Sequence, residues 1–293
     1  FAVAIPGRGI AAIGLDRSPC YASARKSPGA TMLKILSNAL TDIVGGYEQR
    51  RVWITLATED IFDQHRRTTL GPLWLLINYL AFAGTFIFVF NPGPVDQHYA
   101  IYVAVGLLVW TYISDNVTQA VNLFQREESF ISGTTLPLSV YVMRLTLQNV
   151  IRAAYAVLGC FGILLVMGAA PAMAWLWSLV GVLVVLVVSP PMIVVFAFLG
   201  VFFPDSQFIV SNLMRVAMFA TPVFWVHGGE GGLRGALYDW NPFTYLLDAV
   251  RQPIVDGTVP VLALSACLVV GVAFWVLAIF LLGTLRRQVA LVL

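Results

Sequence analysis

The sequence predicts an all-α polytopic membrane protein with six transmembrane helices and both termini on the cytoplasmic side. Three observations carry that prediction. Of the 293 residues, 59% are hydrophobic and only 11% charged, with a mean hydropathy of +0.84, whereas water-facing domains carry about 25% charged residues. Six predominantly apolar runs approach or exceed the roughly 20 residues that cross a bilayer. Lys and Arg gather at alternate connections, as the positive-inside bias requires.

The first run is Leu73–Phe90, and the others lie at about 100–122, 141–168, 174–203, 208–226 and 259–283. The fourth must tilt or break at Ser189-Pro190-Pro191, because proline lacks the donor a helix interior needs. The region before the first span holds nine Lys/Arg, with Arg66 and Arg67 directly ahead of it. The connection 91–99 has none, 123–140 has Arg126, 168–173 has none, and Arg286-Arg287 close the last span. Six spans place both termini on one side, and the charges name that side cytoplasmic. Only the long connection 227–258 dissents, with Arg234 and Arg251 set among Glu230, Asp239, Asp248 and Asp256. Outside the spans, residues 1–45 read as an N-terminal tail. Residues 1–31 lack the order of a signal peptide, so the natural start is expected at Met32. An amphipathic interface helix is expected at 46–70, a six-helix transmembrane domain at 71–285 and a cytoplasmic C-terminus at 286–293.

Composition also excludes. A net charge of +2 offers nucleic acid no broad basic surface. Cys20, Cys160 and Cys267 read as small packing residues, with no disulfide framework. A phosphate-cradling loop needs Gly-x-x-x-x-Gly-Lys-Ser/Thr, yet the only lysines are Lys26 and Lys34 and neither follows a glycine. No cofactor is therefore expected on this chain, and if ATP drives it the ATPase is a separate polypeptide. No metal site or catalytic residue is expected either. His65, His98 and His227 are scattered over two sides with no spaced acid pair, which argues against a membrane-embedded glycosyl- or acyltransferase. A secondary carrier would carry matched helix breaks in two repeats, and none is seen.

Two segments on the cytoplasmic face could receive such an ATPase. In EQRRVWITLATEDIFDQHRR (48–67), Val52, Trp53, Leu56, Ile61 and Phe62 are roughly helically spaced among charges, the pattern of an interfacial helix. Its polar residues Arg50, Arg51, Glu59 and Asp60 are the expected contacts. NLFQREESF (122–130) reads as a short amphipathic helix presenting Gln125, Arg126, Glu127 and Glu128; Gly133 ends it and Pro137 forces Leu136 into extended geometry.

At this point the chain resembles a known family. RRTTLGPLWLLI (66–77) looks like the approach to the first span in membrane subunits of type-2 ABC exporters. FFPDSQFIVSNLMRVAMFATPVFW (202–225) is similar to that family's stretch from the fourth to the fifth span, with Pro204 standing where many relatives have Arg. WNPFTYLLDAVRQPI (240–254) matches its Asn-Pro…Arg element. The motifs run in family order over about residues 45–290, nearest to the polysaccharide branch that exports O-antigen, capsular polysaccharide or teichoic acid. The resemblance implies a homodimer, two copies of a nucleotide-binding subunit carrying ATP and Mg, a lipid-linked glycan as substrate, and a place in the bacterial inner membrane among its lipids. It also implies that 48–63 is the family's interface helix and 122–132 its coupling helix. Drug or lipid export by the same class is the nearest rival.

A glycan needs a wet path with aromatic faces on which sugars slide. Phe82 and Phe86 on span one, Trp110 and Tyr112 on span two, Phe219, Phe224 and Trp225 on span five, and Trp240, Phe243 and Tyr245 beyond it are the candidate channel and gate aromatics. Residues 232–254 are expected to form a re-entrant hairpin hinged at Asn241-Pro242, a lid on the outer exit. Charges inside spans are costly and default to function. Asp115, seven residues from the cytoplasmic end of span two and so about 10 Å deep, is expected either to pair with Arg215 or to leave Arg215 or Arg152 free to meet a substrate pyrophosphate.

Overall fold

The computed structural model describes residues 28–90, 96–226 and 232–292. Readings that fall on residues 1–27, on 91–95, and on His227 and Glu230 lie outside them. Every regular element among the described residues is a helix. In chain order these are α1 (Pro28–Glu48), α2 (Arg50–His65), α3 (Leu73–Phe90), α4 (Gln97–Val121), α5 (Leu123–Arg126) and α6 (Glu128–Gly133), then α7 (Leu138–Val166), α8 (Trp175–Phe202), α9 (Ser206–Ala220), α10 (Leu233–Trp240), α11 (Pro242–Val255) and α12 (Val261–Val292).

Five of them, α3, α4, α7, α8 and α12, are long and apolar enough to cross a membrane. They match the first four and the last of the predicted spans to within a few residues, apart from the C-terminal end of α12. The predicted fifth span differs. It holds the 15-residue α9 followed by non-helical residues 221–226, and 15 residues reach only about 22 Å. The cause is Pro222, which pushes Thr221 into extended backbone (ψ 142°) and ends the helix. Of the two expectations for the fourth span, tilt or break, the break does not occur: α8 runs through Pro190-Pro191. Pro190 gives Leu186 O no partner, and Ser189 Oγ donates to it instead (2.9 Å).

α4 is the central rod. In its most apolar window 78% of the residues are buried, against 17% in α3 and 22% in α12. It packs on α7, α8, α9 and α11, while α12 lies along α8, α1 and α11. Backbones touch where glycine permits. A Cβ on Gly200 of α8 would stand 1.7 Å from Val121 O of α4, and one on Gly181 would stand 2.2 Å from Ala249 O of α11.

The N-terminal region is helical from Pro28, where a tail to residue 45 is expected. α1 packs along α12 and α7, and its buried Asp42 accepts from the backbone N–H groups of Leu138 (3.3 Å) and Ser139 (3.0 Å). A carboxylate there caps the positive end of α7. Arg286 of α12 reaches the same carboxylate at 3.7 Å and donates to Asn38 O, inside a helix that continues to Val292 where a loose C-terminus is expected. Nor is the 232–254 helix pair a loose cover. Asn241 caps α11 through Phe243 N–H, but α11 is wedged among α4, α8 and α12 with eight residues buried.

Gly200→Ala is expected to destabilise the detergent-solubilised protein by about 2–3 kcal/mol through overpacking. Gly162→Ala, whose Cβ meets nothing within 4 Å, is expected to be neutral or slightly stabilising. Thermal unfolding of both variants checks this pair.

Candidate functional site

Three polar assemblies interrupt the apolar bundle, and each gathers residues far apart in sequence. The first lies where α2, α5, α6 and the start of α7 meet. α2 lays Trp53, Ala57, Asp60 and Ile61 towards α7, leaving Val52 and Phe62 exposed. Arg144 of α7 holds Asp60 in a two-pronged pair, Nε to Oδ2 at 2.7 Å and Nη2 to Oδ1 at 2.9 Å. Its third prong, Nη1, donates to Glu127 Oε2 at 2.8 Å. Gln148, one turn on, donates to Asp60 as well. The Arg144 side chain is 14% exposed and that of Glu127 8%, so this is a partly desolvated cluster in which forked geometry counts.

Two expected partner contacts, Asp60 and Glu127, are therefore committed within the chain. A third, Gln125, donates to Gly200 O at 2.9 Å. Arg50, Arg51, Glu59, Arg126 and Glu128 remain exposed, beside Phe130, which is 53% exposed. Arg144 is missing from the sequence reading, although Arg144, Gln148 and Arg152 recur every four residues and so share one helix face.

The second assembly is the open face of α4. Between residues 111 and 119 the partly exposed positions are Thr111, Ser114, Asp115, Thr118 and Gln119, and the buried ones are Tyr112, Ile113, Asn116 and Val117. The polar set recurs at three and four residues, a hydrophilic stripe on a buried helix. Arg152 flanks one side. Its Nη1 donates to Gln119 Oε1 and Asn149 Oδ1 at 2.8 Å each, and its Nη2 to Gln64 Oε1 of α2 at 3.1 Å. Arg215 of α9 flanks the other side, in a cleft of about 500 Å³ with Ser114, Thr118 and Ser211.

Asp115 and Arg215 do not pair. The guanidinium acting on Asp115 is that of Arg152, with which it shares a cleft. Arg215, near the middle of α9, makes no ion pair among the described residues. The α4 aromatics also fall differently from expectation. Trp110 (3% exposed) stands edge-on to Phe243, and Tyr112 (7%) donates to Ser189 Oγ at 2.8 Å. Both rings are largely packed in the core, yet Trp110 still borders the cleft of Ser114, Thr118 and Arg215 and Tyr112 that of Thr111 and Asp115.

The third assembly closes the far end around the Thr221-Pro222 break. Arg251, 3% exposed, donates to Pro222 O and to Asp248 and lies 3.8 Å from the Tyr102 ring centroid. Tyr102 OH donates to Pro222 O and Trp225 O, and Tyr99 OH to Phe224 O at 2.8 Å. Asp248 takes a second bond from Tyr238 OH at 2.7 Å. The carbonyls of Pro222, Phe224 and Trp225 beyond the helix break are thus met from α4 and α11. Beside this knot the expected aromatics of spans one and five do converge. Phe86 and Phe90 stack on Phe224, each 5.1 Å away, with Phe82 and Phe219 edge-on around them. Trp225 borders the adjoining cleft of about 620 Å³. Trp240 is 87% exposed, and the Tyr245 hydroxyl donates to Asp239 O.

The described helices thus form a bundle in which five are long and apolar enough to cross a membrane, with a hydrophilic face along the central one. Comparisons with known proteins find similar chains. The chain is similar to an O-antigen export system permease protein RfbA of Klebsiella pneumoniae, with 21% identity over 243 residues, 82% of this chain and 94% of the relative. A protein of the same name from Myxococcus xanthus is 23% identical over 236 residues, covering 76% and 89%. The resemblance carried by the short motifs therefore extends along most of the chain. No family model matches the sequence.

Arg144→Ala leaves Asp60 without its cation and Glu127 with only the half-exposed Arg126 at 3.4 Å, and is expected to cost about 2 kcal/mol, discounted from fully buried pairs for its residual exposure. Asp60→Asn keeps an acceptor and is expected to cost about half as much. Thermal unfolding of the two variants measures the difference. Arg251→Lys loses the fork that spans Pro222 O and Asp248, and is expected to lower the yield of monodisperse protein severalfold on gel filtration.

Proposed function

We propose that this chain is the transmembrane subunit of an ATP-driven exporter that moves a lipid-linked polysaccharide across the inner membrane of a bacterium. It works as a homodimer joined to two copies of a separate nucleotide-binding subunit, which carries the ATP and Mg. The observation that carries this reading is the hydrophilic stripe of α4. A row of Thr, Ser, Asp and Gln side chains left open in a bilayer-spanning helix is stable only against water or another polar surface. Two chains with their α4 stripes apposed enclose a hydrophilic path, and α9 contributes Arg215 and Ser211 to its wall.

In this reading α9 and the extended residues 221–226 together make a sixth crossing, which puts α2, α5, α6 and both termini in the cytoplasm, where Lys and Arg predominate. α2 lies in the membrane interface. The α10–α11 pair dips into the outer leaflet. Arg50, Arg51, Glu59, Arg126, Glu128 and Phe130 are the handle for the nucleotide-binding subunit, with Phe130 as its apolar anchor. The polymer slides over the Phe82, Phe86, Phe219 and Phe224 cluster, where ring faces hold sugars weakly enough to release them. The relatives' names supply the cargo class, and the bare lining supplies the means.

The test is purification from the native membrane. A nucleotide-binding protein is expected to accompany the chain in stoichiometric amount, with ATPase activity that lipid-linked glycans stimulate; a lone chain with no ATPase would overturn the reading. Thr118→Cys is expected to react with a membrane-impermeant thiol reagent added from the cytoplasmic side. Val117→Cys, 1% exposed in the native chain, is expected to stay protected. Equal protection of both would show the stripe to be dry.

A further inference from the structure

Beside the α4 stripe lies a cleft of about 630 Å³ walled by α3, α4 and α7, within the size range of small-molecule sites. Its polar lining is Asn78, Thr85, Thr111, Asp115, Asn149 and Arg152. The rings of Tyr79 and Phe82 form an apolar wall, and the Tyr79 hydroxyl is already spent on Ala104 O at 2.8 Å.

Two features make the cleft unusual for a membrane interior. Asp115 accepts no hydrogen bond and makes no ion pair among the described residues, although the Arg152 charge acts on it. Arg152 is held by neutral amides alone, Gln119, Asn149 and Gln64, and its Nε makes none of these bonds. The amides are themselves chained, Gln119 to Asn149 at 3.2 Å and Asn149 to Asn116 at 3.1 Å. An acceptor-only carboxylate and a donor-only guanidinium thus face one space without satisfying each other.

We infer that this cleft binds a neutral sugar unit. An anion meets Asp115 and a cation meets Arg152, each at a cost in a desolvated site. A hydroxyl both donates and accepts, so neighbouring hydroxyls on one ring serve both side chains, with Asn78 able to bond in either sense, Thr85 and Thr111 left to accept because their own protons go to Ala81 O and Leu107 O, and Asn149 keeping one amide proton to give. The apolar C–H face of the ring lies on Phe82. The inference rests on the export reading only for why a sugar arrives, not for what the cleft accepts. The cleft shares Thr111 and Asp115 with the stripe, so a sugar held there rests on the wall of the path, on the α3–α7 side and away from Arg215.

The test uses the whole chain in phosphatidylcholine nanodiscs, with saturation-transfer NMR of mannobiose, glucose 6-phosphate and glucosamine. Mannobiose is expected to bind at least about tenfold more tightly than either charged probe. Asp115→Asn removes no bond within the protein, so the fold is kept. It is expected to weaken mannobiose about tenfold while abolishing the discrimination against glucose 6-phosphate. Leu179→Ala, on the exposed side of α8, is expected to change nothing. Four results would overturn the inference: no mannobiose signal at about 50 mM, equal binding of all three probes, binding indifferent to Asp115→Asn, or displacement of mannobiose by phosphatidylethanolamine, which would assign the cleft to a zwitterionic headgroup. Sugar binding by a chain that brings down no ATPase would sustain this site and sink the export reading. An ATPase partner without sugar binding would do the reverse.

Discussion

Inside a bilayer a backbone N–H or C=O released from a helix has no water to turn to, and this chain is organised around the places where that happens. Thr221-Pro222 ends α9 within the bundle, and Arg251, Tyr102 and Tyr99 converge on the carbonyls of residues 222 to 225. Pro190 costs α8 a bond, and the Ser189 hydroxyl, itself held by Tyr112, restores a partner to Leu186 O. The first N–H groups of α7 find the Asp42 carboxylate of α1. Two of the repairs come from other helices and the third, within α8, is held by Tyr112 of α4, so the same bonds that satisfy the backbone fix which helices are neighbours. Side chains the bundle needs for this cannot be spared for traffic through it.

That division explains the two faces of α4. Its apolar and aromatic sides are consumed by α7, α8 and α11, and what remains uncovered is a strip of small hydroxyl and carboxamide groups interrupted by one carboxylate. The two guanidinium groups flanking the strip come from opposite neighbours, α7 and α9, and only the first is embedded in an amide network. The α3 and α9 ends meet through stacked phenylalanines beside the Arg251 knot. Polar wall and aromatic collar thus stand at different heights on the same bundle.

The spans were legible because composition alone decides them; Leu73–Phe90 is bounded the same way by sequence and by structure. α9 was not, since 208–226 is mostly apolar, broken only by Ser211, Asn212, Arg215 and Thr221, and it is the steric demand of Pro222 on Thr221 that shortens the helix. α1 escaped notice because its reason to exist is tertiary: a carboxylate at the start of α7 and close approach to Gly283, where a Cβ would lie 2.4 Å from Ile35 O. Among candidate residues, Phe86 and Phe224 were legible as a group, whereas the packing of Trp110 on Phe243 and the bond of Tyr112 to Ser189 were not. An aromatic in a span reads alike whether it lines a path or fills a core, and only the neighbours decide. Asp60 and Glu127 looked available because each lies in a charged segment. The residue that claims both, Arg144, sits where the sequence shows only the start of an apolar run.

α7 gives this arrangement a mechanical character. Its 29 residues form a rod about 43 Å long, fastened near one end to α2 and to the α5–α6 connection through Arg144, with Gln148 and Arg152 adding bonds to α2. The other end stops at Gly168 (φ +74°), where Ala169 N–H and Gly168 N–H fold back onto Leu164 O and Leu165 O. Such a rod is a lever with its grip at Arg144. A tilt of about 5 degrees at the grip would swing the far end, about 33 Å away, by about 3 Å without breaking a hydrogen bond along its length.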